Sequence, residues 1–599
     1  MKKVMILTME QDRAAALSEL QKLGVLHVRP VVAPRGADLD QAREKVEVLN
    51  RVIARLPKTT TAEPSGRDVR ELAHDLAKLL DEQKTKQNQI EALKAEAFRI
   101  EPFGSFDPAA IQALADKGIT LKLYRAPLKK TPDLPKGVSA EHLAVRKNDG
   151  YWALFAAQPF DWEGAEELRP PTASLDELYG TVAGLEEQIA AGERELSHSA
   201  GDRRALQKLL AHAEAAAKYE EVRAGMGREE NIAYLEGFVP AQDVHKVHDA
   251  SAAHGWGVVV NDPGPEDDAP VKLKPLRWAK PIQAIFEGIN ILPAYNEADV
   301  SGVFMVFFSL FFAMIVGDAG YGTIFLLLTL LLRKKLPQNA SNLLMVTSIC
   351  TILWGLLSGD VFGLSPEILA KAGLDKIQLP FLTNSRSAEN LMGLCFLIGA
   401  AQITIGHAWN VWDLLREKRV KALEQLGWIL TTWYMFLLAD HMVLRGNMVS
   451  YIGSPAALVP FTGSAADYMV LIGIVLIVLF MMKPAEFKDG WFNMALLPLN
   501  LVNNFTDVVS YVRLYAVGAA GFAVANAFNT MIFGGTITWW WGIIGAVLVF
   551  FAHVLNILLA VMGVLVHAIR LNTLEFSNHK GITWSGTPYR PFAKPDAAA

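Results

Sequence analysis

The spacing of apolar residues changes character near residue 295. Up to that point they recur mostly at intervals of three and four among charged residues, which is typical of amphipathic helices. Beyond it, long apolar runs dominate. The first part begins with a strand–helix–strand pattern over residues 1–30, with Gly24 ending the helix, and a similar pattern returns over residues 231–260. These two units either pair into one small α/β lobe or form two lobes, and the sequence leaves both arrangements open.

Two long stretches between these units carry a coiled-coil pattern. The second stretch starts at Ser174, where Glu177 completes the sequence of a capping box. Together the stretches predict a long antiparallel coiled-coil hairpin over residues 37–100 and 174–228. The hairpin is either a homodimerising coiled coil or a strut that holds another protein at a distance. The apolar seam is formed by Leu39, Ala42, Val46, Leu49, Ile53, Leu56, Val69, Leu72, Leu76, Leu79, Ile90, Leu93, Ala97, Leu175, Leu178, Val182, Leu185, Ile189, Leu196, Leu206, Leu210 and Ala213.

Short extended runs separated by Pro and Gly predict a distal α/β lobe at the tip of the hairpin, over residues 101–173. Residues 1–36 and 229–295 form the predicted proximal lobe. The N-terminal apolar run is too short for a signal peptide, so we expect all of residues 1–295 to be cytoplasmic.

Residues 296–599 predict a polytopic membrane domain of eight helices, since a bilayer core requires about 17 or more apolar residues for each span. The two C-terminal spans are long, and we expect them to tilt or bend. The runs lie near Gly302–Val316, Tyr321–Leu332, Leu343–Leu357, Asn390–Trp409, Leu426–Leu438, Tyr468–Met482, Met494–Phe533 and Ile537–Ile569.

Charge between the spans predicts an orientation with both termini in the cytoplasm. Basic residues cluster in alternate loops, at 333–335, at 416–421 and at Lys483 and Lys488. Trp539–Trp541 would then stand at the outer interface, where aromatic residues are expected.

One residue of the membrane half, Arg513, has no simple structural explanation. A charge at mid-membrane costs about 3 kcal/mol or more, and apolar sequence continues on its C-terminal side. Asp507 lies six residues earlier on another helical face, so we do not expect it to pair with Arg513. For His553 and Asn556 in the last span we favour a structural reading, in which they satisfy one another or the backbone.

Composition excludes several classes of protein. The net charge of −5 is spread without a basic block, which argues against nucleic-acid binding. The two cysteines, Cys350 and Cys395, both lie in apolar runs, which excludes a disulfide framework and offers no metal cluster. The sequence contains no GxxxxGK[ST] loop, and it predicts no cofactor and no catalytic site of its own.

Four stretches of the chain carry a resemblance to a known family. They are AYNEADVS at 294–301, GDAGYG at 317–322, DVVSYVRLYAVG at 507–518 and HAIRLNTLEF at 567–576. In these stretches the chain resembles the large membrane subunit, called a or I, of rotary V-type and A-type ATPases and ATP synthases. It departs from the family's tail, reading SNHKGITWSGTPYRPF at 577–592 and keeping only the final RPF.

The resemblance implies a non-catalytic stator subunit that forms two ion half-channels against a rotating proteolipid ring. Arg513 would match the family's essential arginine, and its guanidinium stays protonated at physiological pH. The other ion-translocation residues implied are Arg570, Glu575, His567, Asp507 and Ser510. The partners implied are the proteolipid ring, peripheral stalk subunits, the central-stalk socket subunit and the ATP-hydrolysing head, in a bacterial or archaeal plasma membrane.

Two other readings compete with this one. A secondary ion transporter with a cytoplasmic regulatory arm would predict an internal repeat of broken spans, and no convincing repeat is present in the sequence. A membrane-anchored scaffold would leave Arg513 without a role. The sequence does not distinguish protons from sodium ions, because the carrier carboxylate belongs to another chain.

Overall fold

The computed structural model describes residues 1–58, 63–104, 107–128, 133–146, 148–169, 173–264, 266–364, 366–417, 419–452, 458–481, 492, 494–533 and 539–595. The chain divides into two compact units. The first unit comprises residues 2–262 and 591–599, and the second comprises residue 1 and residues 263–590. Lys418, Lys483, Lys488 and the side chains of Trp539–Trp541, which entered the predicted orientation, lie outside the described residues.

The first unit contains two antiparallel sheets and a set of helices. Its helices are α1 (Arg13–Leu23), α2 (Ala37–Arg55), α3 (Val69–Ile100), α4 (Pro108–Asp116), α5 (Leu175–His198), α6 (Arg203–Gly225) and α7 (Val244–His254). Its strands are β1 (Lys2–Met9), β2 (His27–Arg29), β3 (Thr120–Pro127), β4 (Ser139–Arg146), β5 (Asp149–Ala156), β6 (Glu166–Leu168), β7 (Gly227–Glu229), β8 (Ile232–Val239) and β9 (Gly257–Asn261).

The two strand–helix–strand units pair in one sheet, which is the first of the two arrangements that the sequence left open. The strand order is β2-β8-β1-β9, with β7 also on β8, and the register aligns Ile6 with Leu235 and with Val258. Gly24 ends α1 in the left-handed region at φ +62°, as predicted. The C-terminal tail joins this lobe, because Phe592 is buried in its core and its backbone N–H donates to the Leu26 carbonyl at 2.8 Å.

The long helices of this unit pack in antiparallel pairs. Helix α2 lies along α6, where Arg203 Nη1 donates to the Ile53 carbonyl at 3.0 Å, and α3 lies along α5, where Lys94 Nζ is 2.6 Å from Glu186 Oε1. The predicted capping box is confirmed, since the Ser174 and Glu177 side chains each accept the other residue's backbone N–H. The coiled-coil hairpin itself stays a prediction. The second sheet, in the order β4-β5-β3-β6, follows α4 in the region predicted as the distal lobe.

The second unit is helical. Its helices are α8 (Gln283–Gly288), α9 (Ser301–Val316), α10 (Ala319–Leu332), α11 (Gln338–Ser358), α12 (Pro366–Lys371), α13 (Pro380–Thr383), α14 (Ser387–Arg416), α15 (Ala422–Leu444), α16 (Asn447–Ile452), α17 (Ala465–Phe480), α18 (Leu497–Ser510), α19 (Val512–Phe533), α20 (Trp539–Gly563) and α21 (Ser577–Lys580). Among the described residues, four continuous helical stretches are long and apolar enough to cross a membrane: Gln338–Ser358, Ser387–Arg416, Leu497–Ile532 and Ile543–Lys580. The count of eight spans and the domain boundaries at 36, 100, 173, 228 and 295 stay predictions.

Two irregularities shape the C-terminal helices. The long run predicted at 494–533 is interrupted at Tyr511, between α18 and α19. After α20 the chain winds into two π-helical segments, Val564–Ala568 and Leu571–Phe576. On an α-helix, residues five apart point about 140° away from each other, whereas the wider π-helical turn brings such residues towards one side.

Candidate functional site

Arg513 lies in the first turn of α19, directly after the interruption at Tyr511. Its Nε donates to the Ser510 carbonyl at 2.9 Å, and its Nη2 pairs with Glu575 Oε1. The Arg513 side chain is 24% exposed and that of Glu575 is 6% exposed. The charge that was unexplained in the sequence is therefore held against a buried carboxylate from the last helix.

Several polar groups lie close to the Glu575 carboxylate. Its Oε1 also lies 3.5 Å from Ser510 Oγ and 3.6 Å from Arg570 Nε. Arg570 and Glu575 are five residues apart, and the π-helical winding places both near Arg513, where an α-helix would separate them. Glu575 Oε2 is buried and has no hydrogen-bond partner among the described residues. One carboxylate oxygen thus serves two guanidinium groups and a hydroxyl, and the other is available to a further donor.

A buried polar chain fixes the helix segment that carries Arg513. The Tyr511 hydroxyl donates to Gln402 Oε1 at 2.9 Å, Gln402 Nε2 donates to Asn572 Oδ1 at 2.9 Å, and all three residues are fully buried. Gly399 makes room for the Tyr511 ring, because a Cβ at that glycine would lie 2.6 Å from Tyr511 Cδ2. Helices α14, α18 and α19 and the last π-helical segment are thereby connected around Arg513 by hydrogen bonds that have no competing water.

A polar cavity of about 330 Å³ lies on the N-terminal side of Arg513. Asp507 lines it, and Asp507 Oδ2 is 3.0 Å from His579 Nε2, as expected from its position on a different face from Arg513. The other lining residues are His407, Gln425, Trp428, Asn500, Asn503, Asn504 and Asn578. These closely spaced asparagine and histidine side chains line the cavity with hydrogen-bonding groups, within an otherwise apolar bundle.

A second cavity, of about 500 Å³, lies on the C-terminal side of Arg513. Asp360 is its carboxylate, with Oδ2 3.3 Å from Ser358 Oγ, and α19 contributes Leu514, Tyr515, Gly518, Ala519 and Phe522. The first cavity meets this helical run at residues 500–507 and the second at 514–522. Arg513 lines neither cavity and stands between the two helical segments that do.

The face of α19 beyond Arg513 is lined with small side chains. Ala516, Ala520, Ala523 and Ala527 are exposed and follow Arg513 at intervals of three and four residues, so they form one stripe with it. On another side Gly518 packs closely on α9, because a Cβ there would lie 2.5 Å from the Met314 carbonyl oxygen. Tight helix packing therefore explains the glycine but not the exposed alanines.

The predicted site residues separate into groups. Arg513, Arg570, Glu575 and Ser510 form one cluster, and Asp507 lies in the first cavity. The half-buried His567 is not part of either set, and its Nδ1 has no partner among the described residues.

The structural reading of His553 and Asn556 is confirmed in part, since Asn556 contacts the backbone but neither residue pairs with the other. His553 Nδ1 lies 2.6 Å from the Tyr321 hydroxyl, and Asn556 Nδ2 donates to that same hydroxyl at 3.0 Å and to the Gly521 carbonyl at 2.9 Å. Tyr321 comes from α10, so the two polar side chains of α20 are satisfied across helices.

Sequence reasoning missed His407, Gln402 and His579. Gln402 and His407 are polar residues inside the run predicted as the fourth span, which was the available signal. His579 belongs to the tail that departs from the family pattern.

Comparison with known proteins identifies relatives along the whole chain. No protein-family model matches it. The V-type ATP synthase subunit I of Borreliella burgdorferi is 28% identical over 619 aligned residues, covering 99% of each chain. The V-type ATP synthase subunit I 1 of Treponema pallidum is 29% identical over 636 aligned residues, also covering 99% of each chain. The chain is therefore similar along its whole length to proteins named subunit I.

The similarity also extends to A-type relatives. The A-type ATP synthase subunit I of Archaeoglobus fulgidus is 23% identical over 406 residues, 60% of this chain and 58% of the relative. A crystal structure of the cytoplasmic N-terminal domain of subunit I, homolog of subunit a, of V-ATPase matches with 17% identity and a TM-score of 0.20, covering 43% of this chain and 100% of the solved one. That TM-score is too low to support a statement about the fold.

Proposed function

We propose that this chain is the ion-translocating stator subunit of a rotary V/A-type ATPase or ATP synthase and has no catalytic activity of its own. The observation that carries the proposal is the pair of cavities on opposite sides of Arg513 along one helical run, each of which contains a carboxylate. Residues 507 and 513 are about 9 Å apart along a helix axis, at 1.5 Å per residue. The cavities are offset half-channels, and Arg513 separates them.

The proposed ion transfer depends on the positive charge of Arg513. A ring of small membrane subunits presents carboxylates, and each carboxylate is drawn to the guanidinium of Arg513 in its ionised form. An ion leaves the carboxylate into one cavity before the carboxylate reaches Arg513, and another ion reloads it from the second cavity afterwards. The fixed positive charge also prevents cations from passing directly between the cavities. Each elementary charge moved across 100 mV supplies about 2.3 kcal/mol, so several ions are coupled to each ATP.

Glu575 provides the resting partner of Arg513 in this scheme. Because Oε1 already contacts Arg513, Arg570 and Ser510, the arginine keeps a counter-charge between successive ring carboxylates. Exchange between two carboxylate partners costs less than leaving a partly buried guanidinium unpaired. His567 has a secondary place in the scheme, since its Nδ1 is buried without a partner among the described residues, three positions before Arg570.

The exposed alanine stripe fits a moving surface. Ala516, Ala520, Ala523 and Ala527 present methyl groups that can slide past a neighbouring helix without interlocking. Longer side chains on this stripe would form ridges that fit into the grooves of the ring helices and hold them. The proteolipid ring therefore runs along this face of α19.

The rest of the chain anchors the site against torque. Eight spans with both termini in the cytoplasm place the first unit on the side of the ATP-hydrolysing head, in a bacterial or archaeal plasma membrane. The antiparallel helix pairs of residues 37–100 and 174–228 form the coiled-coil arm that binds peripheral stalk subunits, with the lobes at its two ends. The proximal lobe lies towards the central-stalk socket subunit.

Replacement of Arg513 by alanine tests this function. In complexes reconstituted into vesicles, Arg513→Ala is expected to abolish ATP-driven charge transport, measured with a membrane-potential dye that responds to protons and sodium ions alike. Assembly should persist, because the surrounding polar chain through Tyr511 does not involve the guanidinium. Arg333→Ala, at an exposed arginine after α10, is the matched control and should transport normally. Normal transport by Arg513→Ala would refute the proposal.

A further inference from the structure

Three titratable side chains from three separate parts of the membrane unit stand in a line in the first cavity. Asp507 Oδ2 is 3.0 Å from His579 Nε2, and His579 Nδ1 is 3.0 Å from His407 Nε2. The line ends at Gln425, whose Oε1 lies 2.8 Å from His407 Nδ1. Every ring nitrogen of both histidines is therefore engaged in a hydrogen bond.

These contacts limit the number of protons that the line can hold. When Gln425 presents its carbonyl oxygen, His407 Nδ1–H donates to it, and His407 Nε2 of the neutral ring must accept. His579 Nδ1–H then donates to His407, and an ionised Asp507 requires a second donor, Nε2–H, from the same His579 ring. His579 is an imidazolium in this loaded state, and it is paired with the Asp507 carboxylate.

The same heavy-atom positions also accommodate one proton fewer. If the Gln425 amide turns so that its NH₂ donates to His407 Nδ1, then His407 Nε2–H donates to His579 Nδ1 and His579 Nε2–H donates to Asp507. The turn gives up the long contact of 3.4 Å that Gln425 Oε1 accepts from Asn410 Nδ2. Passing from the loaded to this empty state moves one proton from His579 Nδ1 to His407 Nε2. The proton on His407 Nδ1 leaves to water in the cavity, and no covalent bond other than N–H is made or broken.

The neighbouring charges are already paired and do not neutralise this line. Lys580 Nζ lies 3.0 Å from Asp413 Oδ2 and donates to Asn410 Oδ1 at 2.9 Å. On α15, the buried Glu424 accepts a hydrogen bond from Trp428 Nε1 at 3.4 Å and lies 3.9 Å from Lys421 Nζ. On α19, Arg513 is paired with Glu575. The Trp428 ring stacks on His407 at an interplanar angle of 9°, which holds the imidazole in the plane that the line requires.

We infer that Asp507, His579 and His407 form a proton relay in the first half-channel, with Gln425 as its rotating end. This inference rests on the proposed function, since it assigns the steps by which one half-channel delivers protons to the turn of Arg513. The relay carries protons and not sodium ions, because each of its steps transfers a proton between ring nitrogens.

Two variants of His579 test the relay in reconstituted complexes. His579→Gln keeps a hydrogen-bonding side chain but removes the titratable ring, and it is expected to slow ATP-driven proton uptake about a hundredfold, at the low end of the range for a lost acid–base group. His579→Ala should show the same loss and regain proton uptake when imidazole is added, because the cavity of about 330 Å³ admits the free ring. A variant that merely disturbed packing would not respond to imidazole.

Controls separate this inference from the proposed function. His441→Gln makes the same substitution at an exposed histidine near the end of α15 and should leave proton uptake unchanged. Normal proton uptake by His579→Gln, failure of imidazole to restore His579→Ala, or sodium-dependent charge transport without proton uptake would each overturn the relay. Because Arg513→Ala is scored by total charge transport, its outcome stands independently of the three relay results.

Discussion

Replacing Arg513 by lysine retains the positive charge and removes the shape of the side chain. The guanidinium makes two directed contacts, from Nε to the Ser510 carbonyl at 2.9 Å and from Nη2 to Glu575. Lysine has one nitrogen at the end of a flexible chain and cannot occupy both positions. One charge-assisted hydrogen bond, worth about 1.5–3 kcal/mol, is therefore lost.

The expected effect on transport follows from that loss. Since about 1.4 kcal/mol corresponds to a factor of ten, Arg513→Lys should slow ATP-driven transport by about tenfold to a hundredfold. The assay is the initial rate of the membrane-potential signal in vesicles containing equal amounts of assembled complex. ATP hydrolysis, followed in the same vesicles, should fall in parallel if rotation stays coupled to transport.

Arg570→Lys is the matched control for this prediction. Arg570 is 55% exposed and its Nε lies 3.6 Å from Glu575 Oε1, so the exchange should change the rate by less than about fivefold, as for an exposed ion pair. A rate for Arg513→Lys equal to that of the wild type would show that charge alone suffices. It would refute the argument that the two directed contacts position Arg513.

Three further changes probe the surroundings of the site. Glu575→Gln removes the counter-charge of Arg513 and should destabilise the membrane unit by about 2 kcal/mol. This is less than the roughly 3–5 kcal/mol of a fully buried broken pair, because Arg513 is partly exposed, and it should appear as a lower melting temperature of the solubilised chain. Ala520→Trp should block both transport and ATP hydrolysis without preventing assembly, because a large ring on the stripe obstructs a moving partner. Gly399→Ala places a methyl group against the Tyr511 ring and should cost about 1–3 kcal/mol, measured as a loss of thermal stability together with transport.

Each of these changes has an outcome that would contradict it. An unchanged melting temperature for Glu575→Gln would mean that water, and not the carboxylate, stabilises the guanidinium. Leu331→Trp, at an exposed apolar position on α10, is the control for the stripe and should transport normally. If Ala520→Trp also transports normally, the stripe does not face the rotor. Full stability of Gly399→Ala would show that the Tyr511 ring can move without loss.

Local features of the fold were readable from the sequence because their causes are local. The capping box at Ser174, the left-handed end of α1 at Gly24 and the strand–helix–strand units depend on residues a few positions apart. The cost of a charge in an apolar run depends only on that run, so the sequence alone marks Arg513 as the focus of the site.

The partners of these residues depended on tertiary structure. Arg513 and Glu575 are 62 residues apart in sequence, and Asp507 and His579 are 72 apart, so neither pairing has a periodicity to reveal it. Helix packing also decided that Tyr321 satisfies both His553 and Asn556. Long-range strand pairing decided that β1 lies between β8 and β9.

The last helix shows most clearly which contacts could not be predicted from the sequence. On an α-helix of 3.6 residues per turn, Arg570 and Glu575 would point about 140° apart. The π-helical segments have a wider turn and bring both side chains to Arg513. The sequence by itself determined which residue carries the buried charge, because desolvation is a property of the local run. Only the tertiary structure decided which carboxylate neutralises it and where the two cavities lie along the helical run, because packing between distant segments sets those distances.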